Sequence, residues 1–241
     1  MVILPAIDLK DGKCVRLRQG RAEDVTVYSG DPVAQALDWL HQGAEELHLV
    51  DLDGAFNGIP KHMEVIKAII RAFDRPVEVG GGIRTAEALE AVLSAGAARA
   101  IIGSAALEDP DFLQKSVDLW GEKIAVGIDA KNGLVQTRGW VNTTSVRAID
   151  LAAAVGKMGV KTIIYTDTAT DGMLGGPNLA QMAVICDAAP QCQVTASGGV
   201  SSPYDIENLK SLGRANLRAA ICGKALYDGR TTLKEMNAAA L

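Results

Sequence analysis

Val77-Glu-Val-Gly-Gly-Gly-Ile-Arg84, followed by Ile101-Ile-Gly-Ser-Ala-Ala-Leu107, returns later in the chain as Val194-Thr-Ala-Ser-Gly-Gly-Val-Ser201 followed by Ala220-Ile-Cys-Gly-Lys-Ala-Leu226. Each copy runs from an apolar stretch into a glycine pair and then into a second apolar stretch ending near glycine. Self-similarity at a fixed offset marks a repeated architecture. Gly82 and Gly199 lie 117 positions apart, Gly103 and Gly223 lie 120 apart, and Asp8 and Asp129 lie 121 apart. A Gly-x-Pro element also recurs, as Gly58-Ile-Pro60 and Gly175-Gly-Pro177. The 241 residues therefore read as two halves, about 1–120 and 121–241, joined near Gly121. No Pro/Ser-rich linker separates them, so they are expected to share one core as a single domain.

Outward from the repeat, Val-, Ile- and Leu-rich runs recur at 2–7, 46–50, 76–79, 98–102, 124–128, 162–165, 193–196 and 217–221. Their spacing of about 30 residues is that of one βαβ step. The runs are almost continuously apolar, as strands covered on both faces must be. Between them, segments such as 31–43, 85–96 and 202–213 open on Asp, Thr or Ser, carry apolar residues three and four apart, and end on glycine, which predicts helices. The expected fold is a (β/α)₈ TIM barrel. An open doubly wound sheet fits less well, because no G-x-G-x-x-G follows the first strand.

Composition agrees and narrows the function. Apolar residues are 48% of the chain but aromatics only 4%, so aliphatic side chains must fill the core. With 24 basic against 29 acidic residues, net −5, the chain lacks the basic face that nucleic acid requires. No apolar run reaches the roughly 18 residues of a membrane span, and the N-terminus lacks a basic segment and small-residue cleavage site. The expectation is a cytoplasmic, monomeric protein acting on a small molecule. Cys14, Cys186, Cys192 and Cys222 lack C-x-x-C and zinc spacing and read as reduced thiols.

Residues just past each strand build the active site of such a barrel. Gly81, Gly82, Gly103 and Ser104 follow strands three and four, and Gly198, Gly199, Gly223 and Lys224 follow strands seven and eight. Glycine lets backbone N–H groups approach an anion closely. Tight strand-to-helix turns would need the same glycines, but two matched sets favour two facing phosphate sites and a substrate with a phosphate at each end. A bulky residue at Gly199 is accordingly expected to weaken ligand affinity.

Asp8 and Asp129 project between these sites, and two carboxylates in different environments can divide acid and base roles. Helix capping is their plainer use. Thr166 follows strand six, and the Gly-rich segment 167–176, carrying Asp171 and Gly172, is long enough for a lid. Arg138-Gly-Trp140 offers a cation and a stacking ring, or simply an exposed hairpin. Arg16 and Arg18 are either ligand contacts or surface. His48 reads by itself as a barrel-interior histidine, and Asp51 and Asp53 as turn residues. His41, His48 and His62 lack ligand spacing; Asp8, Asp51 and Asp129 gathering a Mg²⁺ is the weaker alternative, so no metal and no cofactor is expected.

Pro5-Ala-Ile-Asp8-Leu-Lys-Asp-Gly, Leu47-His-Leu-Val-Asp-Leu-Asp53, Val79-Gly-Gly-Gly-Ile-Arg84, Asp171-Gly-Met-Leu-Gly-Gly-Pro-Asn178 and Ala196-Ser-Gly-Gly-Val-Ser201 resemble the phosphoribosylformimino-aminoimidazole-carboxamide ribotide isomerases of histidine biosynthesis. The resemblance runs from Met1 to about Lys234. It implies a cofactor-free Amadori rearrangement of an aminoaldose to an aminoketose in a substrate with two ribose phosphates. It further implies that Asp8 is the general base and that Asp129 or Asp171 is the general acid. Thr166, Arg84, His48, Arg138 and Trp140 match substrate-contacting positions. The cyclase of the following step shares the doubling but has a different start. A bifunctional isomerase that also takes phosphoribosylanthranilate shares Arg-Gly-Trp and Gly-Gly-Pro-Asn, yet usually has Leu-Ser-Gly-Gly where this chain has Val79-Gly-Gly-Gly82, and a charged residue where this chain has Thr170. Both departures point to a single-substrate enzyme. A barrel that binds phosphosugars without catalysis is the non-enzymatic alternative.

Overall fold

The computed structural model describes residues 1–17 and 24–241; Arg18 lies outside the described residues. Strand β1 (Val2–Lys10) continues into a hairpin of β2 (Lys13–Leu17) and β3 (Val25–Ser29), then α1 (Pro32–His41), β4 (Leu47–Asp51), α2 (Leu52–Asn57), α3 (Met63–Phe73), β5 (Val77–Gly80), α4 (Ala86–Ser94), β6 (Arg99–Ile102), α5 (Ala105–Glu108) and α6 (Pro110–Trp120). The second half repeats the plan: β7 (Ile124–Lys131), the hairpin β8 (Leu134–Thr137) and β9 (Asn142–Arg147), α7 (Ala148–Lys157), β10 (Thr162–Asp167), α8 (Leu179–Ala188), β11 (Gln193–Ser197), α9 (Pro203–Ser211), β12 (Leu217–Cys222), α10 (Lys224–Tyr227) and α11 (Leu233–Ala240).

Eight strands close a parallel barrel in the order β1-β4-β5-β6-β7-β10-β11-β12, with β12 pairing back on β1. All eight apolar runs of the sequence are these strands. The hairpins β2–β3 and β8–β9 hang from β1 and β7 as antiparallel extensions. They were not among the eight apolar runs, because short hairpins half exposed to solvent have no continuous apolar run; the turn of β8–β9 is the hairpin read at Arg138-Gly-Trp140.

The helix ends follow from local chemistry. Asp31 accepts the N–H groups of Val33 and Ala34 ahead of Pro32, Thr85 accepts that of Ala88, and Ser202 and Asp205 form a reciprocal capping box. One large apolar core lies between strands and helices and draws on both halves. A second, smaller one fills the barrel interior with Leu4, Ala6, Ile101, Ala125, Ile164, Ala219 and Ile221. The four cysteines are free and buried. Among the described residues no helix is long and apolar enough to cross a membrane.

Candidate active site

Barrel register sets the height of the two aspartates. Asp8 stands level with Val50 of β4, and Asp129 level with Thr166 of β10. Both carboxyls thus reach the C-terminal mouth, and the cavity there is lined by Asp8, Asp129, Thr166 and Asp171 with His48 and Trp140. The expected glycine sets line it as well: Gly81, Gly82, Gly103 and Ser104 after β5 and β6, and Gly198, Gly199, Gly223 and Lys224 after β11 and β12. In a ring of eight strands those two pairs are diametrically placed. Arg16, Arg84 and Gly172 complete the expected residues that meet there.

Arg138 is the exception, since its side chain is not part of the cavity wall. Its backbone N–H is held by Ser104 Oγ at 2.8 Å, and its guanidinium, more than half exposed, pairs with Glu108 at 3.2 Å. Arg138, Gly139 and Trp140 all have positive φ (57°, 67° and 70°). This left-handed bend turns Trp140 toward Asp129 on the cavity wall and sends Arg138 outward, so the hairpin is present and Trp140, not Arg138, faces the cavity.

The glycines divide by the reason for their being glycine. A Cβ on Gly81 would stand 2.1 Å from Asp51 O, and one on Gly198 would stand 2.5 Å from Asp167 O. Gly82 and Gly199 are pressed equally hard, against Gly54 O at 2.6 Å and Gly176 O at 2.3 Å. All four have positive φ, so close backbone packing alone requires them, and a substitution at Gly199 cannot isolate affinity. Gly103 differs: a Cβ there meets nothing within 4 Å. Gly223 is kept small by Arg16, whose Nη2 would lie 2.5 Å from an added Cβ.

Arg16 is therefore a cavity residue. Its Nη1 donates to Asp8 Oδ2 at 2.6 Å and its Nη2 to Ala6 O at 2.7 Å. The guanidinium lies 5.3 Å from the Tyr227 ring centroid, while its buried Nε has no hydrogen-bond partner among the described residues. An arginine lying between a carboxylate and a glycine loop places positive charge at that end of the mouth. At the other end Arg84 donates to Ala55 O at 2.9 Å. Lys224 pairs with Asp228 at the rim.

The three carboxyls lie in different surroundings. Burial pushes Asp171 up to about 6, reinforced by the charges of Asp8 and Asp129 and opposed by Arg16 and His48. Burial also raises Asp129, although the Trp140 and Thr166 donors facing it favour the charged form. Asp8 has the arginine. Segment 167–176 is tied down in part: Asp167 O accepts from the N–H of Thr170 and of Asp171, Asn178 Nδ2 donates to Asp167 Oδ2 at 2.6 Å, and Gly176 N donates to Gly199 O.

Asp51 does not join Asp8 and Asp129. Its buried carboxylate accepts the N–H groups of Gly54, Lys61 and His62, shaping the loop after β4. Asp51, Asp53 and His62 offer ligand atoms within 4.8 Å of one another, but Asp53 is already engaged by His62 Nε2 and the Asp11 N–H. Sequence reasoning missed Ser197, Phe56 and Leu174 on the cavity wall. The repeat could have found Ser197, which it aligns with Gly80. Phe56 sits in α2, a short helix with no marked pattern, and packs its ring against Gly139.

The histidine biosynthesis protein family matches residues 2–232. The chain belongs to that family. It is 50% identical over 235 residues to the 1-(5-phosphoribosyl)-5-((5-phosphoribosylamino)methylideneamino)imidazole-4-carboxamide isomerase of Trichlorobacter lovleyi, covering 98% of this chain and 96% of that one. It is 49% identical to the isomerases of the same name from Acinetobacter baumannii, over 236 residues, and Geobacter sulfurreducens, over 235, with the same coverage. The resemblance read from the motifs thus extends over nearly the whole chain.

Proposed function

We propose that the chain performs the reaction for which these relatives are named, as an aldose–ketose isomerase that turns 5'-phosphoribosylformimino-5-aminoimidazole-4-carboxamide ribotide into its phosphoribulosyl form. The observation that carries the reading is the convergence of Asp8, Asp129, Thr166 and Asp171 on one mouth that is also lined by the two glycine loop pairs. A substrate with a phosphate at each end would span that mouth, its anions met by backbone N–H groups and by Arg16. The ribose of its phosphoribosylamino end, the one that isomerises, then brings C1 and C2 to the carboxyls.

Asp8 takes the C2 proton of the ring-opened Schiff base, and the resulting enaminol becomes the ketone as C1 is protonated. Asp171, which holds its proton until about pH 6, serves as the acid that opens the furanose ring. Asp129, with Thr166 and Trp140 beside it, supports the charge that moves through the centre. These side chains accomplish each proton transfer without a cofactor, and a cytoplasmic monomer is sufficient for the task. The chain is read as a single-substrate enzyme: Thr170 is engaged inside its own loop, its Oγ1 donating to Asp167 O at 3.0 Å.

The test is conversion of substrate deuterated at C2. The expected result is slowed turnover with deuterium lost from that carbon. A phosphosugar-binding barrel without activity would leave the substrate unchanged.

The acid assignment has its own test. An acid must be protonated to act, so kcat/KM should fall as pH rises through about 6, and that limb should vanish in Asp171→Asn. Persistence of the limb there and its loss in Asp129→Asn would move the role to Asp129. Stability carries the same sign. The folded-state value of Asp171 lies above the ordinary 3.8, so its contribution is fully present below that pH and lost as pH rises through about 6. Asp171→Asn should thus raise Tm relative to wild type at pH 7 and much less at pH 4, as thermal denaturation would record. At Gly103 an added methyl meets only the cavity, so Gly103→Ala should raise KM with Tm within about 1 °C, because the fold loses nothing. An unchanged KM would remove Gly103 from the phosphate site.

A further inference from the structure

Inside the barrel, on the side of β4, β5 and β6, a chain of charged groups connects the floor to the mouth. Arg218 pairs with Glu46, Glu46 with Arg99, Arg99 Nε donates to Glu78 Oε2 at 3.1 Å, and Glu78 Oε1 lies 2.7 Å from His48 Nδ1. Glu78 is only 1% exposed. It is not part of the cavity wall, whereas His48 is.

The second half of the barrel provides an internal control. Val50 pairs with Gly80 as Thr166 pairs with Ser197, so the positions equivalent to His48 and Glu78 are Ile164 and Thr195. Those strands close the corresponding half-barrel with no such ion chain among the described residues, and Ile164 belongs to the apolar interior. Closing a half-barrel therefore does not require the His48–Glu78 pair. Buried ion pairs are moreover poor stabilisers, since desolvation offsets their attraction. A costly group absent from the symmetric position points to a task at the mouth.

We propose that Glu78 is a positioning residue for the isomerisation: it fixes His48 with the proton on Nδ1 and Nε2 facing the substrate, while Arg99, itself paired with Glu46, holds the other oxygen of Glu78 in place. A carboxylate can only accept, so Nδ1 must donate. Although burial works against the charged form of Glu78, His48 and Arg99 outweigh it and hold the carboxyl below its ordinary value. With Nδ1 committed to Glu78, the ring is oriented so that Nε2 faces a substrate hydroxyl between the two phosphates. His48 also faces Asp129 and Asp171 electrostatically, so its orientation matters to both.

The proposal rests on the isomerase reading for its kinetics but not for its spectroscopy. The chain has three histidines, so nitrogen NMR can assign the His48 ring through a His48→Asn control. Wild type should show Nδ1 protonated and Nε2 bare in the neutral form. In Glu78→Gln a mixture of tautomers should appear and kcat should fall on the order of tenfold, the effect of removing such an orienting partner. Glu78→Asp should recover the wild-type tautomer in part. Nε2 protonation in wild type would overturn the proposal even if Glu78→Gln failed to fold. So would unchanged tautomers and kcat in a folded Glu78→Gln. If wild type does not convert the ribotide, the function reading fails while the tautomer still decides the positioning role.

Discussion

Asp8→Asn should lower kcat by about 10²- to 10⁴-fold while the protein still binds its ligand, because a general base typically contributes that much and the amide keeps the shape of the carboxylate. The structure adds a reason for expecting the effect to fall on turnover. Asp8 is ion-paired with Arg16, and Arg16 retains a second acceptor in Ala6 O and the Tyr227 ring when the carboxylate is neutralised. The arginine is thus held near Gly223 in the variant. Calorimetric titration with product should give an affinity close to wild type. Turnover close to wild type would remove Asp8 from the mechanism, and loss of binding along with turnover would make it a binding residue instead.

The second large effect falls on the fold. Gly81→Ala places a methyl 2.1 Å from Asp51 O at a φ of 105°. Left-handed backbone costs a non-glycine residue about 1–2 kcal/mol, and overpacking adds about 1–3. The sum, about 2–5 kcal/mol, corresponds to a drop in Tm of roughly 4 to 20 °C for a chain of this size. Gly198→Ala, the matched position against Asp167 O, should behave alike. A Tm within a degree of wild type in both would mean that these loops are free to move, and their glycines would revert to a purely ligand-binding explanation.

The sequence carried the barrel because its eight central strands are continuously apolar and because the two halves repeat at nearly constant offset. The mouth was legible for the same reason: Asp8 and Asp129, or Gly82 and Gly199, mark equivalent strand ends. Function at each glycine was not legible, since the same residue answers to two needs. Packing demands Gly81, Gly82, Gly198 and Gly199, while a Cβ at Gly103 would meet nothing within 4 Å. Nor could the sequence tell that three successive left-handed residues would point Arg138 at Glu108 and Trp140 at Asp129, because backbone conformation there is decided by contacts with Ser104 and Phe56 from the first half. Glu78 lay in plain view within the opening motif, but its partners come from β4 and β6, and β12 supplies the Arg218 behind them.

The central claim, that this mouth isomerises one doubly phosphorylated aminoaldose, is tested most directly by measuring kcat/KM of the purified chain on the aminoimidazole carboxamide ribotide and on phosphoribosylanthranilate side by side. The account predicts conversion of the ribotide to its ketose form, with the anthranilate substrate at least about a hundredfold poorer, a difference of roughly 2.7 kcal/mol in transition-state stabilisation. No conversion of the ribotide, or comparable rates on both, would contradict it.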